Sequence, residues 1–136
     1  MNLKNTILVI LFIIGLQSFS QVYRFKTSSL SVTSKFKNGN WDKWSDAKNV
    51  NLVVSLDTSK NRLIVYSEIL QLFEILEYAD EVENEKDKTV TFVCKNNDNE
   101  NCIISIITRK NQGNRLQLYI VYDDNMLNYN IENLKE

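Results

Sequence analysis

Alternation of apolar and polar residues at every second position is the feature that most restricts the fold of this chain. It runs through the segments 50–56, 89–94 and 115–122. Successive side chains of a β-strand point to opposite faces, so this pattern is typical of strands with one buried face. Similar segments lie at 22–26, 30–36, 62–66, 102–109 and 126–131. Short polar turns separate the segments, and the sequence therefore predicts an antiparallel meander.

Asparagine, aspartate and glycine supply these turns, because the chain has no proline and only three glycines. Asn38-Gly39 between two apolar segments is a strong hairpin signal, since both residues tolerate positive φ. The turns at 57–61, 110–114 and 123–125 are rich in Asn and Asp, which favour turns through local hydrogen bonds and left-handed geometry.

Residues 68–77 allow two interpretations. Helical spacing is present in the set Ile69, Leu72, Phe73 and Leu76. A continuous apolar run also fits a strand that is buried on both faces. We predict the strand, because the segment lies within a meander.

Eight or nine antiparallel strands in one small domain must hide their edges. We therefore predict an all-β fold, which closes either as a small, lipocalin-like barrel or as a two-layer sandwich.

The N-terminus predicts a signal peptide over residues 1–20. Lys4 precedes an apolar run at 6–16, and small residues at 18 and 20 favour cleavage between Ser20 and Gln21. The run is too short for a membrane span, which needs roughly 20 residues. We expect a secreted or periplasmic β domain over 21–136 with no membrane span; an uncleaved N-terminal anchor is the alternative.

Cys94 and Cys102 are the two cysteines of the chain, and they flank a polar stretch between two predicted strands. An even number of cysteines in an exported chain favours a disulfide, which here would close the end of a hairpin. Two free thiols are the alternative.

Charge gives the mature chain no general attraction to nucleic acid or anionic lipid. Removing residues 1–20 takes only Lys4 from the charged residues, which leaves 15 basic and 17 acidic side chains.

The absence of histidine excludes the Ser-His-Asp and Cys-His forms of nucleophilic catalysis. The few glycines exclude a phosphate-binding loop. We therefore expect no enzyme activity and no cofactor.

Two groups of carboxylates are candidates for a catalytic pair and for a calcium site. Acidic residues at 80–87 alternate with lysines, which is more typical of a solvated surface than of a glycosidase pair. Oxygen ligands suited to calcium occur at Asp98, Glu100, Asp123 and Asp124, but their spacing matches no calcium loop, and we predict no metal site.

Trp41 and Trp44 follow the Asn38-Gly39 turn and are the candidate ligand-binding residues. Such a pair stacks on a sugar or clamps an apolar ligand at a barrel mouth. In the alternative, one ring plugs the end of the core and the other packs over the loop. The strand tyrosines are expected in the core or in cross-strand pairs: Tyr66, Tyr119, Tyr122 and Tyr129. The basic turn of Arg109, Lys110 and Arg115 is predicted to solvate a hairpin end rather than bind an anion.

The motifs together resemble small exported proteins of Bacteroidota bacteria. The resemblance rests on Ser20-Gln21, the segment Asn38-Gly39-Asn40-Trp41-Asp42-Lys43-Trp44-Ser45, Ile64-Val65-Tyr66-Ser67, Phe92-Val93-Cys94, Cys102-Ile103-Ile104, Leu118-Tyr119-Ile120 and Tyr129-Asn130-Ile131. It implies export and β architecture, and it adds no catalytic residue.

Three functional hypotheses follow. The first is a non-enzymatic domain that binds a small apolar or glycan ligand through Trp41 and Trp44. The second is an interaction or inhibitor module that presents loops or a strand edge to an envelope protein. The third is a hydrolase with paired carboxylates. A lined internal cavity would favour the first hypothesis, and a filled core with an exposed apolar patch would favour the second.

Overall fold

The computed structural model describes residues 21–134, which form ten β-strands and one short 3₁₀ helix. The strands are β1 Val22–Ser34, β2 Lys48–Asn49, β3 Val53–Asp57, β4 Arg62–Val65, β5 Gln71–Tyr78, β6 Val82–Glu83, β7 Asp87–Asn96, β8 Asn101–Arg109, β9 Arg115–Val121 and β10 Asn125–Asn133. The 3₁₀ helix, Lys110–Gln112, lies between β8 and β9.

Eight strands close into an antiparallel barrel. Their order around the barrel is β1, β3, β4, β5, β7, β8, β9 and β10, and β10 pairs with β1 to close it. The short strands β2 and β6 lie outside this circle, next to β1 and β7. The predicted single all-β domain is confirmed, and it takes the barrel form because β1 pairs with both ends of the meander.

The barrel interior is filled by apolar side chains. Alternate residues of each strand point inward, as their burial shows, and the largest of them are Phe73, Leu63, Leu118 and Tyr129. Each such side chain contributes about 1.5–3 kcal/mol through removal of apolar surface from water. Burial of these inward side chains therefore stabilises the closed barrel. The outward positions do not contribute to this core.

β1 pairs with two different strands along the same edge. The sequence predicted two strands here, at 22–26 and 30–36, where the structure has one. Its first half pairs with β3 and its second half with β2. At the change of partner the buried Thr27 hydroxyl donates to Val50 O at 2.9 Å and accepts from Leu52 N at 2.8 Å. A bulge at Ser28 shifts the register with β10. The Thr27 hydroxyl thus supplies hydrogen bonds where the regular ladder is interrupted.

The ambiguous segment contains a strand, β5, as predicted, but that strand is not buried on both faces. Phe73 is fully buried, whereas Leu76 is 53% exposed at a bulge between Ile75 and Glu77. The apolar run is continuous because β5 carries apolar residues on its outer side as well.

The turns follow the predicted chemistry. Gly39 has φ +89°, and positive φ also occurs at Asn61, Asn99 and Asn114. The asparagines thus adopt the left-handed geometry that the proline-free turns need.

The predicted signal peptide at 1–20 and its cleavage site at Ser20 lie outside the described residues, which begin at Gln21. Within 21–134 no helix has the length and apolar character to cross a membrane.

The predicted disulfide is wrong: Cys94 and Cys102 are buried free thiols. They are direct partners on β7 and β8, so the predicted hairpin is present. Asn96 N donates to Glu100 O at one end of this ladder, and Lys110 N donates to Lys86 O at the other. Alternation from either end makes Cys94 and Cys102 a hydrogen-bonded pair, in which side chains lie farther apart than in the non-hydrogen-bonded pairs.

Candidate functional site

The outer surface of β7 to β10 and β1 carries two adjacent rows of mainly polar side chains, which we call the polar face. Within a row, each residue is the cross-strand partner of the residue named after it, which lies on the neighbouring strand. The first row is Thr91, Ser105, Tyr119, Asn128 and Ser31, and the second is Thr89, Ile107, Gln117, Asn130 and Ser29.

Gln117 is the centre of a hydrogen-bond network on the polar face. Its Oε1 accepts from Arg109 Nε at 2.9 Å, and its Nε2 donates to Asn130 Oδ1 at 3.1 Å. Asn130 Nδ2 donates in turn to Ser29 Oγ at 2.7 Å. Gln117 is only 5% exposed although it points away from the core. Mutual hydrogen bonding therefore holds these amides in fixed orientations.

Trp44 and Tyr119 form an aromatic corner above the network. Their ring centroids lie 6.0 Å apart at an interplanar angle of 73°. The Tyr119 hydroxyl lies 3.3 Å from Gln117 Oε1, to which it donates. The Trp44 segment is anchored to β1, because Ser45 N donates to Val32 O at 2.8 Å. Trp44 remains 42% exposed, so its ring is available to a ligand.

Asn128 lies beside this corner, between Ser31 and Tyr119 in the first row. Its Oδ1 is buried and has no hydrogen-bond partner among the described residues. A buried acceptor without a partner costs about 1–3 kcal/mol, so this oxygen is a position where a donor would be favourable.

Trp41 does not join Trp44 in one site. Its ring lies against Lys35, whose Nζ is 5.0 Å from the ring centroid, and it is 37% exposed. Neither ring plugs the barrel, because both lie outside it; the alternative of one core tryptophan is wrong. The candidate residues Trp41 and Trp44 thus have different partners. Trp44 contacts Tyr119 of the polar face, and Trp41 contacts Lys35.

Two open grooves continue from the polar face toward the bulge of β1. Their volumes are 350 Å³ and 590 Å³, and they share Ser28 and Glu132. The smaller is also lined by Lys26, Thr27, Asn49, Val50 and Asn51, and the larger by Gly113, Asn114, Arg115, Leu116, Asn130, Ile131 and Asn133. Five of the nine residues that line the larger groove carry an amide or a charge, and Asn130 belongs to both the network and the larger groove.

Two of the acidic residues at 80–87 lie in ion pairs with lysines. Glu83 Oε1 lies 2.9 Å from Lys110 Nζ, and Glu81 lies 3.3 Å from Lys88. The hydrogen bond from Lys110 lowers the pKa of Glu83, which keeps this carboxylate ionised. Such groups are unsuited to the role of a general acid, which needs a raised pKa.

The carboxylates considered for calcium come only partly together. Glu100, Asp123 and Asp124 line one groove of 340 Å³, without Asp98. Within residues 21–134 no cluster of three or more Asp, Glu, Cys or His residues has the geometry to hold a metal.

The tyrosines separate into inward and outward positions. Tyr129 is in the core and Tyr122 packs against it, as predicted, whereas Tyr66 is 49% exposed. Tyr119 is a cross-strand partner that points outward.

Sequence reasoning missed the amides Gln117, Asn128 and Asn130. They occupy the polar positions of alternating strands, where a solvated side chain is the usual expectation. Two asparagines on alternate positions of β10, opposite the outward positions of β9, are the signal that could have found them.

Comparison with known proteins gives no match to a family model, a curated protein or a solved structure.

Proposed function

We propose that the polar face binds a glycan, with a non-enzymatic role. The observation that carries this proposal is the open Trp44–Tyr119 corner beside a fixed network of amides. Aromatic rings pack against the C–H face of a sugar, and oriented amides hydrogen-bond to its hydroxyls. A few placed polar groups next to an aromatic surface are the usual composition of a specific small-ligand site.

The filled interior supports an outer site rather than a barrel cavity. Phe73, Leu118 and Ile104 leave none of their surface exposed, and their side chains occupy the space where a small apolar ligand would bind. Of the two ligand classes predicted from the sequence, we therefore propose a glycan and not a small apolar ligand.

The unpaired Asn128 Oδ1 supports a ligand rich in hydroxyl groups. It lies in the same row as Tyr119, directly beside the aromatic corner. Pairing of this acceptor would recover part of its desolvation cost.

A glycan array followed by calorimetric titration of the best ligand tests the proposal. Trp44→Ala should weaken binding by about tenfold or more, which corresponds to the loss of an aromatic contact worth about 1.4 kcal/mol of binding free energy. Trp41→Ala is the matched control and should bind as the unaltered protein does. Equal binding by both variants, or no binding of any glycan by the unaltered protein, would contradict the proposal.

A second candidate is an interaction module that presents an apolar row to an envelope protein. The row lies on the outside of the barrel next to the polar face and consists of Val93, Ile103, Val121 and Met126. Ile103 is 46% exposed, and the filled core favours this class of function.

Native mass spectrometry of the protein purified from its own host distinguishes the two candidates. An interaction module would co-purify with a protein that is lost in Ile103→Asp and kept in Trp44→Ala. A glycan binder would co-purify with a glycan that is lost in Trp44→Ala and kept in Ile103→Asp. Export from the cytoplasm, predicted by residues 1–20, fits either candidate.

A further inference from the structure

We infer that the glycan bound at the polar face carries a negative charge, a carboxylate or a sulfate ester, which Arg115 receives in the larger groove. This inference rests on the proposed function, since it concerns the same ligand. The charged residues that matter lie at the end of the barrel where β9 starts.

Three basic residues near this end are neutralised by carboxylates. Arg109 Nη1 lies 3.2 Å from Asp87, and Lys110 and Lys88 pair with Glu83 and Glu81, as described above. Arg115 differs: across residues 21–134 no carboxylate oxygen lies within 4.0 Å of its guanidinium nitrogens. Its charge is therefore available to an anion.

Neutral side chains hold the Arg115 guanidinium in place. Nε donates to Gln112 Oε1 at 2.9 Å, and Nη1 donates to Asn130 Oδ1 at 3.2 Å. Among the described residues Nη2 has no hydrogen-bond acceptor, and Arg115 lines the groove of 590 Å³. A guanidinium fixed in this way binds a carboxylate or sulfate with little further loss of side-chain freedom.

Among the described residues that line the same groove, Glu132 is the one carboxylate. It lies 3.3 Å from Lys26 Nζ, and this ion pair reduces its repulsion of an incoming anion. Asn130 connects the groove to the network at the aromatic corner, because it accepts from both Arg115 and Gln117.

The spacing fits one ligand that reaches both sites. Arg115 and Tyr119 lie on the same outer side of β9, four residues apart, which is about 13 Å along a strand. A short oligosaccharide spans this distance. One sugar would then pack in the corner while a charged sugar reaches the guanidinium.

Calorimetric titration with three oligosaccharides of matched length tests the inference: one neutral, one containing uronate and one sulfated. The unaltered protein should bind at least one charged ligand about tenfold more tightly than the neutral one, as expected for a charge-assisted hydrogen bond. Arg115→Gln should remove this preference, so that the charged and neutral ligands bind with equal affinity. Lys88→Gln, at a paired lysine outside the groove, is the control and should change neither.

The outcomes separate the inference from the proposed function. Trp44-dependent binding with equal affinity for the charged and neutral ligands would overturn the inference alone, as would a charge preference that survives in Arg115→Gln. Preference for only one charged ligand identifies the anion as carboxylate or sulfate. Absence of binding to all three ligands and to the glycan array would overturn both.

Discussion

Strand β9 presents two different surfaces within seven residues, one to the inside of the barrel and one to the outside. Inward, Leu118 and Ile120 are fully buried among apolar side chains. Outward, Gln117 and Tyr119 form hydrogen bonds across three strands. The same alternation that closes the barrel thus also builds the polar face. Most of the stability therefore belongs to the inside, and the proposed glycan binding belongs to the outside.

The largest expected effect is on stability, from truncation inside the barrel. Phe73→Ala should lower the free energy of unfolding by about 3–5 kcal/mol, because it removes a fully buried ring and leaves a cavity. Glu74→Ala, at the next and outward position, is the control and should change it by less than about 0.5 kcal/mol. Urea denaturation measures both. Similar losses in the two variants would contradict the division between the two surfaces.

Alkaline pH should destabilise the interior through the two thiols. Burial, with a smaller contribution from Cys102, raises the pKa of Cys94 from 9.0 to about 12. Burial, with a smaller contribution from Glu100, raises that of Cys102 from 9.0 to about 11. The folded state therefore keeps protons that the unfolded state loses. Stability is full below pH 9 and falls as pH rises from 9 toward 11–12, by about 1.4 kcal/mol per pH unit and thiol.

Urea denaturation at pH 8, 9 and 10 with reductant present checks this slope. A variant with both Cys94→Ala and Cys102→Ala should lose less stability over this interval, although it starts from a lower value. Parallel pH profiles for the two proteins would show that the thiols are not the cause.

Two amides of the polar face should differ in their effect on stability. Gln117→Leu removes partners from Arg109 and Asn130 and should cost about 1–3 kcal/mol. Asn128→Leu removes an acceptor that has no partner and should cost less than about 1 kcal/mol. Thermal denaturation compares them, and an equal loss in both would show that the network around Gln117 is not what stabilises this face.

Trp44→Ala should lower stability much less than Phe73→Ala does. Trp44 is 42% exposed, and its ring makes one edge contact with Tyr119, which is worth about 0.5–1.5 kcal/mol beyond the burial of its area; the total loss should therefore stay below that of Phe73→Ala. Together with the large expected loss of glycan binding, this would separate recognition from folding. A loss as large as that of Phe73→Ala would mean that Trp44 is a structural residue.

Local pattern was sufficient to predict most of the strands. The alternation at 89–94, 102–109 and 115–122 corresponds to β7, β8 and β9, because one buried face is recorded directly in the sequence. The division of β1 between two partners could not be predicted, since it depends on the bulge at Ser28 and on pairing with distant strands.

The candidate site was predicted less completely than the fold. Trp44 was a candidate, but its partner Tyr119 lies 75 positions away in the chain, and only barrel closure brings the rings together. The disulfide prediction failed for a related reason: cysteine spacing indicates a hairpin, but it does not indicate which cross-strand pairs are hydrogen-bonded.

Chemical-shift mapping with a glycan identified on the array tests the outer-face site most directly. We expect ¹⁵N-HSQC shifts at the backbone amides of Gln117, Tyr119 and Asn130, the side-chain amides of Gln117 and Asn130, and the Trp44 indole N–H. Side-chain methyl signals of the inward residues Ile104 and Leu118 should stay unchanged. Shifts concentrated at those methyl groups, with the Trp44 indole unchanged, would place the ligand inside the barrel and contradict the proposed outer site.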